Sequence, residues 1–312
     1  MDPLGSLLAG PRARGAFVLR VHMAPPWSFR IQDESPLALS VVAEGEAWVT
    51  PDDGDPVRLG PGDVCINRGP DPYTMSDTPG RPPEVIVHPG QRCTDLAGNE
   101  VAESMNLGVR TWGNAAEGPM VMLCGAYEQV ATTGGRLLRA LPPMVVVRKH
   151  DWRSPLVDVL CDEVTHQDVG QEVVLDRLLD LVMVSALRTW MARPEAEAPG
   201  WYRAHADEVV GTALRLMQTN PAHPWTVAEL ASSVGMSRAA LARRFTDLVG
   251  EPPMTFLTGW RLALAADLLS RPDATVAAVA AQVGYATPFA LSTAFKRAHG
   301  VSPREHRRVT TA

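Results

Sequence analysis

Thr226-Val-Ala-Glu-Leu-Ala-Ser-Ser-Val-Gly235-Met-Ser237 recurs in altered form as Thr275-Val-Ala-Ala-Val-Ala-Ala-Gln-Val-Gly284-Tyr-Ala286. Each copy spaces its apolar residues three and four apart, which predicts a short helix, and each is broken by a glycine. A second amphipathic segment follows each one, Arg238–Val249 and Thr287–His299. Helix, glycine turn, helix is the pattern of a helix-turn-helix. Glycine suits the turn because it takes a positive φ without steric cost. Ala231 and Ala280 are small enough to let the paired helices approach. The copies align at an offset of 49 residues from Val227/Val276 to Gly235/Gly284, and of 50 at Phe245/Phe295 and Gly250/Gly300. One alanine-rich hairpin would say little. Two at this spacing, with a helix expected between them over Met254–Leu269, predict a pair of DNA-reading units.

The string Ala294-Phe-Lys-Arg-Ala-His-Gly300-Val-Ser-Pro303-Arg-Glu-His-Arg-Arg308 closely resembles the signature of the AraC/XylS family of bacterial transcription regulators. The family pattern has Tyr where this chain has His306. The resemblance covers the C-terminal third of the chain. It implies two helix-turn-helix units on a rigid connecting helix, about 24 Å long at 1.5 Å per residue. Such a frame presents its recognition helices to successive major grooves about 34 Å apart. The resemblance also implies double-stranded promoter DNA and RNA polymerase as partners, a homodimer, and activation as the usual outcome.

Charge supports the same placement once it is divided. The 312 residues carry 29 Lys+Arg against 35 Asp+Glu, net −6. Asp207–Ala312 holds 11 Lys+Arg and 8 Asp+Glu, net +3, whereas residues 1–206 hold 18 and 27, net −9. DNA belongs at the basic end. No apolar run approaches the ~20 residues of a membrane span. The longest candidate, Val173–Met191, carries Asp176, Arg177, Asp180 and Arg188. Leu4–Ala9 is too short for a signal peptide, so a cytoplasmic location is expected.

Residues 1–16 are rich in Gly, Pro and Arg and read as a loose arm. From Phe17 to Val147 the pattern is mostly strand. Phe17–Val21, Ala38–Val42, Ala47–Thr50, Pro56–Leu59 and Val64–Asn67 are short β-rich runs between Gly, Pro and Asp turns. Glu44-Gly45 and Asp52-Asp-Gly54 fit hairpin turns. Leu59-Gly-Pro-Gly-Asp-Val64 resembles the strand-turn-strand of the cupin fold. Met122–Tyr127 and Leu137–Arg148 resemble the later part of the cupin-like sensor found on one AraC subfamily.

Cupins often hold a metal through histidines on facing strands. This chain has no HxH, and Ser40 and Tyr73 stand where the subfamily often has His. His22 and His88 remain, and nothing in the sequence brings them together. No metal site and no cofactor are expected. The four cysteines, Cys65, Cys93, Cys124 and Cys161, include no CxxC, and cytoplasmic thiols stay mostly reduced. Cys124 lies in an apolar run. Cys93 follows Arg92, and Cys65 lies near Arg68. These three are the candidates for oxidant sensing, which needs exposure and a lowered thiol pKa.

Ser154–His166 and Gln171–Met191 read as helices with apolar stripes at Leu156, Val159 and Leu160, then at Val174, Leu175, Leu178, Leu181, Val182 and Leu187. They cap the barrel, or dimerise the protein as the family resemblance favours, or do both. If they dimerise it, Asp at Leu178 and Val182 is expected to separate the protomers. Arg193–Gly200 has the composition of a linker, and Asp207–Thr219 opens the DNA-binding domain. The expected fold is thus α+β in two domains. A cupin-like β-barrel sensor spans 1–150 with dimerisation helices over 151–192. A linker spans 193–204, and an all-α domain with two helix-turn-helix units spans 205–312.

In a helix-turn-helix the N-terminal half of the second helix meets base edges. Ser237 can cap that helix in the first unit. Arg238, Ala239, Ala242 and Arg243 would then face bases, with Arg244 reaching phosphate and Leu241, Phe245 and Leu248 facing inward. By resemblance, Arg243 falls where the family commonly places a base-reading Arg. In the second unit the base-facing set is Thr287, Phe289, Ser292 and Thr293, with Phe289 either on DNA or folded back into the core. Lys296, Arg297, Arg304, Arg307 and Arg308 would meet phosphate. The function expected is a sequence-specific regulator answering a small-molecule or redox signal, with no catalytic residues. The rival is a metal-dependent cupin enzyme with an accessory DNA-binding domain.

Overall fold

A computed structural model describes residues 17–108, 110–127, 132–152, 154–164, 166, 168–193, 198–271 and 273–310. The arm over 1–16 and linker residues 194–197 lie outside these. The chain divides into two compact units, one of Pro11–Val130 with Leu141–Ala196, the other containing Ala131–Ala140 with Glu197–Ala312.

In the first unit the strands are β1 (Phe17–Met23), β2 (Ser28–Ile31), β3 (Leu37–Glu44), β4 (Ala47–Pro51), β5 (Val57–Leu59), β6 (Val64–Arg68), β7 (Tyr73–Ser76), β8 (Val85–Val87), β9 (Cys93–Asp95), β10 (Asn106–Gly108), β11 (Thr111–Gly113), β12 (Met120–Tyr127) and β13 (Met144–Val147). Two sheets form, ordered β10-β11-β1-β12-β3-β6-β13 and β5-β4-β7-β2-β8-β9. Their facing sides enclose one core that includes Val21, Trp27, Phe29, Val42, Val49, Met75 and Met122. β3 lies between β12 and β6, and its first six residues are all buried. A central strand covered on both faces needs a nearly continuous apolar run, and in β3 only Ser40 breaks it.

Asp52–Gly54 does join a hairpin, with Ala47 opposite Leu59 in β4 and β5. Glu44-Gly45 does not, because β3 and β4 belong to different sheets. The chain crosses between sheets there. Gly45 has φ +75°, and a Cβ would lie 2.3 Å from the Pro119 carbonyl oxygen, so the corner is built on glycine. The Leu59–Val64 turn also changes sheets, and Asp63 organises it. Burial alone would raise its carboxyl pKa. The amides of Gly60 (3.0 Å) and Lys149 (2.9 Å) and the Arg148 guanidinium (2.9 Å) hold it below the ordinary range instead.

Residues 17–147 are not all strand. α1 (Gly135–Ala140) interrupts them and falls in the second unit. There the Asp267 carboxylate accepts the backbone amides of Thr132 (2.5 Å) and Thr133 (3.0 Å). The two predicted helices are present as α2 (Leu156–Glu163) and α3 (Gln171–Met191). α3 lays Leu175, Leu178, Leu179, Val182, Met183 and Leu187 inward, and Leu179 sits on Gly125 of β12, where a Cβ would meet it at 2.6 Å. Val174 and Leu181, on the same predicted stripe, are exposed.

The second unit continues through α4 (Gly200–Arg203), α5 (Glu208–Thr219), α6 (Val227–Ser233), α7 (Arg238–Val249), α8 (Pro253–Leu269), α9 (Val276–Gln282), α10 (Pro288–His299) and α11 (Pro303–Thr310). Side chains cap the helix starts: Asp207 for α5, Thr226 for α6, Ser237 for α7, Thr275 for α9 and Thr287 for α10. Each accepts an orphan amide of the first turn, which is why the repeats begin on Thr. Two separate cores result. One gathers Leu214, Leu230, Leu241, Phe245, Phe256 and Trp260, the other Leu262, Leu269, Val279, Leu291 and Phe295. Leu248, expected inside, is 38% exposed, and Val249 takes the inward place. Val249 continues the i, i+4 row of Leu241 and Phe245, and that side of α7 is the one packed into the first cluster.

Candidate nucleic-acid interface

The two recognition helices, α7 and α10, are built alike. Each starts on a hydroxyl cap, Ser237 to the Ala240 amide at 3.3 Å and Thr287 to the Ala290 amide at 3.1 Å. Each ends on a glycine in the left-handed region, Gly250 (φ +90°) and Gly300 (φ +76°). Each is pinned by a leucine and a phenylalanine with no exposure, Leu241 with Phe245 and Leu291 with Phe295. The opposite faces are therefore left to solvent.

On α7 that face shows Arg238, Ala239 and Arg243, with Ala242 half-buried beside them. Arg244 is also exposed, but its guanidinium meets the Asp207 carboxylate at 2.6 Å. That bond, with the amides of Val210 and Val209, keeps the Asp207 carboxyl below its ordinary range. Arg244 thus serves the start of α5, a role the sequence did not suggest. On α10 the face shows Thr287, Phe289 and Thr293, with Ser292 half-buried and bonded to the Pro288 carbonyl at 2.8 Å. Phe289 is 81% exposed, so it is not folded back into the core. Lys296, Arg297, Arg304 and Arg308 are exposed, and Arg307 is half-buried.

The signature after Gly300 is a capping box. The Ser302 hydroxyl accepts the Glu305 amide (3.3 Å) and the Glu305 carboxylate accepts the Ser302 amide (2.7 Å), with Pro303 opening α11. His306 packs against Phe295 with ring centroids 5.4 Å apart. An aromatic ring, here imidazole, is what the position supplies to the second core.

The two facing sheets of the first unit line a half-open cavity of about 470 Å³. Its walls include Leu19, Phe29, Ile31, Met75, Trp112 and Met122, with Ser40, Tyr73 and Cys124 among them and Asp33, Gln91 and Arg110 as its more polar lining. The sequence reading named Ser40 and Tyr73 only as missing histidines. The structure brings both to this one space, beside aromatic residues that no motif marked. His22 is buried in β1 on the side opposite Val21, and desolvation lowers its pKa. His88 lies in the other sheet's loop, with Nε2 2.9 Å from the Thr94 hydroxyl. Among the described residues no three His, Cys, Asp or Glu side chains cluster as metal ligands.

Burial pushes the Cys65 and Cys124 thiols up to about 12 and raises Cys93 as well. Cys124 pairs with Ser40, and Ser40 with Cys65, across adjacent strands. The two cysteines are thus two strand spacings apart, about 9.5 Å, beyond the roughly 7 Å that a disulfide spans.

No helix among the described residues is long and apolar enough to cross a membrane. A family model described as Cupin matches residues 2–192, and one described as Helix-turn-helix domain matches residues 230–309. The chain is 32% identical over 322 residues to an AraC-like transcription regulator of Streptomyces antibioticus, spanning 99% of both chains. It is 31% identical over 320 residues to one of Streptomyces lividans, spanning 100% of this chain and 99% of that one. Among solved structures, the DNA-binding domain of AdpA, crystallised with a target DNA, is 31% identical over 33% of this chain and 93% of its own, with a TM-score of 0.32. Two capped recognition helices behind a β-rich domain, and relatives matched from end to end, lead to one conclusion: the chain belongs to the AraC-type transcription regulators, with a cupin domain ahead of its helix-turn-helix domain.

Proposed function

We propose that the protein is a cytoplasmic homodimer that binds promoter DNA, engages RNA polymerase and activates transcription when a small organic effector occupies its barrel. The domain arrangement of this reading is sensor over 1–150, dimerisation helices over 151–192, linker over 193–204 and DNA-binding domain from 205. The observation that supports it most is the pair of like-built helices whose solvent faces hold Arg238, Ala239, Ala242 and Arg243, then Thr287, Phe289, Ser292 and Thr293. Those residues read bases. Lys296, Arg297, Arg304, Arg307 and Arg308 hold phosphate. Arg244 joins them only by exchanging its bond to Asp207. The function is one of binding, with no catalytic residue.

Affinity for duplex DNA should fall steeply with salt, by about 0.9 in the slope of log K against log salt for each phosphate contact. Lys296→Ala and Arg297→Ala should each flatten that slope by about one contact, as fluorescence anisotropy at several salt concentrations would show. Binding indifferent to salt would refute the DNA reading.

Of the two signals, the small molecule has the better support. Thiols raised by burial react slowly, whereas a largely apolar cavity of this size falls within the roughly 300–1,000 Å³ of ligand pockets. The lining favours an uncharged apolar body. N-phenyl-1-naphthylamine, a neutral apolar fluorophore, should brighten saturably with the full chain. Ser40→Phe, which fills the space beside Met75 and Cys124, should abolish that signal. An equal signal from both proteins would place the dye elsewhere.

A further inference from the structure

The two reading units share α8 but not a core. The first cluster uses Phe256, Leu257 and Trp260 of that helix, and the second uses Leu262, Ala265, Ala266 and Leu269. The changeover falls at Arg261. Apolar contact is non-directional, so two clusters strung on one helix do not by themselves fix how one head is turned relative to the other. The helix is also weakened at this point, because Gly259 lies in its interior, where glycine is a poor helix former.

Directional bonds run from the changeover to the first head, and the second head closes on them. Arg261 Nε donates to the Pro221 carbonyl at 2.7 Å and Nη2 donates to the His223 carbonyl at 2.7 Å. Both carbonyls belong to the α5–α6 loop of the first head. That loop is braced in turn: Trp225 Nε1 donates to the Asn220 carbonyl (3.0 Å), and the His223 ring meets the Glu229 carboxylate (2.6 Å). The turn of the second head closes on the same place. A Cβ at Gly284 would lie 2.8 Å from Cα and O of Ala222 and 3.0 Å from Arg261 Nη2. Gly235, its counterpart in the first head, has a similar φ (+68° against +81°) but nothing within 4 Å of its missing Cβ. The two turn glycines are equivalent in sequence and differ in what they touch. Guanidinium is planar and holds its donors in a fixed fork, which suits it to bridging two carbonyls in one orientation.

We propose that Arg261, closed in by Gly284, is a positioning residue that locks the two reading heads in register and so sets the spacing between DNA boxes that the protein accepts. This rests on the reading that both heads meet DNA. Linked heads gain over a single head only when their geometry matches the two boxes. One inserted base pair turns one box by about 34–36° relative to the other, which a locked pair cannot follow and a loose pair can.

The test uses the full chain and a duplex that the wild-type protein selects from a randomised pool. Companion duplexes carry one or two base pairs inserted between the boxes, or a scrambled second box. Wild type should bind the selected duplex on the order of 100-fold more tightly than the single-box duplex and lose most of that gain on a one-base-pair insertion. Arg261→Met, which keeps the length and removes the fork, should bind the single-box duplex as wild type does. It should retain only about a tenth of the two-box gain and bind the selected and inserted duplexes alike. Arg261→Lys should behave as Arg261→Met, because charge without the fork is not enough. Gly284→Asn, which tolerates the left-handed φ but brings a Cβ into the clasp, should do the same, and Gly235→Asn should not. Single-box binding reports that the first head is folded in every variant. Arg261 variants that keep wild-type spacing preference would overturn the positioning role and leave the DNA reading intact. A wild type that ignores spacing, or selects no DNA, would overturn both.

Discussion

Val182→Asp should unfold the first unit, whereas Leu181→Asp, one residue away, should leave it folded. Val182 has no exposure and Leu181 is 52% exposed. The inner face of α3 covers the sheet, with Leu179 seated on Gly125 and Asp180 bonded to the Tyr127 hydroxyl at 3.2 Å. A carboxylate at 182 would enter that contact without a partner. An uncompensated buried charge costs about 3–5 kcal/mol, a large part of the roughly 5–15 kcal/mol by which domains are stable. Leu178, which is 8% exposed, falls in the same class. The Leu178/Val182 pair therefore tests folding and not assembly. In the dimer proposed above, assembly would fall to the outer face, where Val173, Val174 and Leu181 are exposed at helical spacing. In the proposed dimer Val174→Asp with Leu181→Asp yields folded monomers. Circular dichroism with sedimentation velocity separates the outcomes. A folded, dimeric Val182→Asp protein would contradict the division of α3 into two faces.

Arg243→Ala should lose about 1–3 kcal/mol of binding and relax preference at a single G·C pair. A guanidinium at this place can donate twice to guanine, to O6 and N7. Its counterpart in the second head is Thr293, whose one hydroxyl discriminates weakly, so Thr293→Ala should lose clearly less. Phe289 stands 81% exposed at the second residue of α10. An aromatic face there meets a thymine methyl better than any polar edge, and Phe289→Ser should mainly weaken a T·A preference. On the proposed reading the first head should set most of the base specificity. Selection of all three variants on a randomised-site library decides it. Equal relaxation by Thr293→Ala and Arg243→Ala would remove the asymmetry.

The helical end of the chain was legible because its signals are local. Thr226, Ser237, Thr275 and Thr287 stand next to the amides they cap, and the apolar period decides which face is buried. The errors came where a residue answers to something distant. Glu44-Gly45 has the composition of a hairpin, but sheet membership depends on β12 and β6 as partners of β3. On α3 apolar residues occur on two sides, and a stripe cannot say which side the barrel takes. Arg244 reads as a phosphate contact, and nothing near it in the sequence announces its bond to Asp207, 37 residues earlier. Arg261 gives no signal at all, since its partners are backbone carbonyls and every residue type offers one. The cavity was legible only in part. Alternation predicts inward side chains, but their volume sum, and so the space they leave, is a property of the two sheets packed together.

A single helix that serves two cores also has two stabilities. The amides of α8 before Arg261 report the first cluster and those after it report the second, although one ladder of hydrogen bonds runs through both. Hydrogen exchange in the absence of DNA should then show a step in protection along Pro253–Leu269, with each half opening as part of its own cooperative group. If both heads meet DNA as proposed, the less protected one could melt and re-form while the other stays whole, which would let the bound protein release one box before the other.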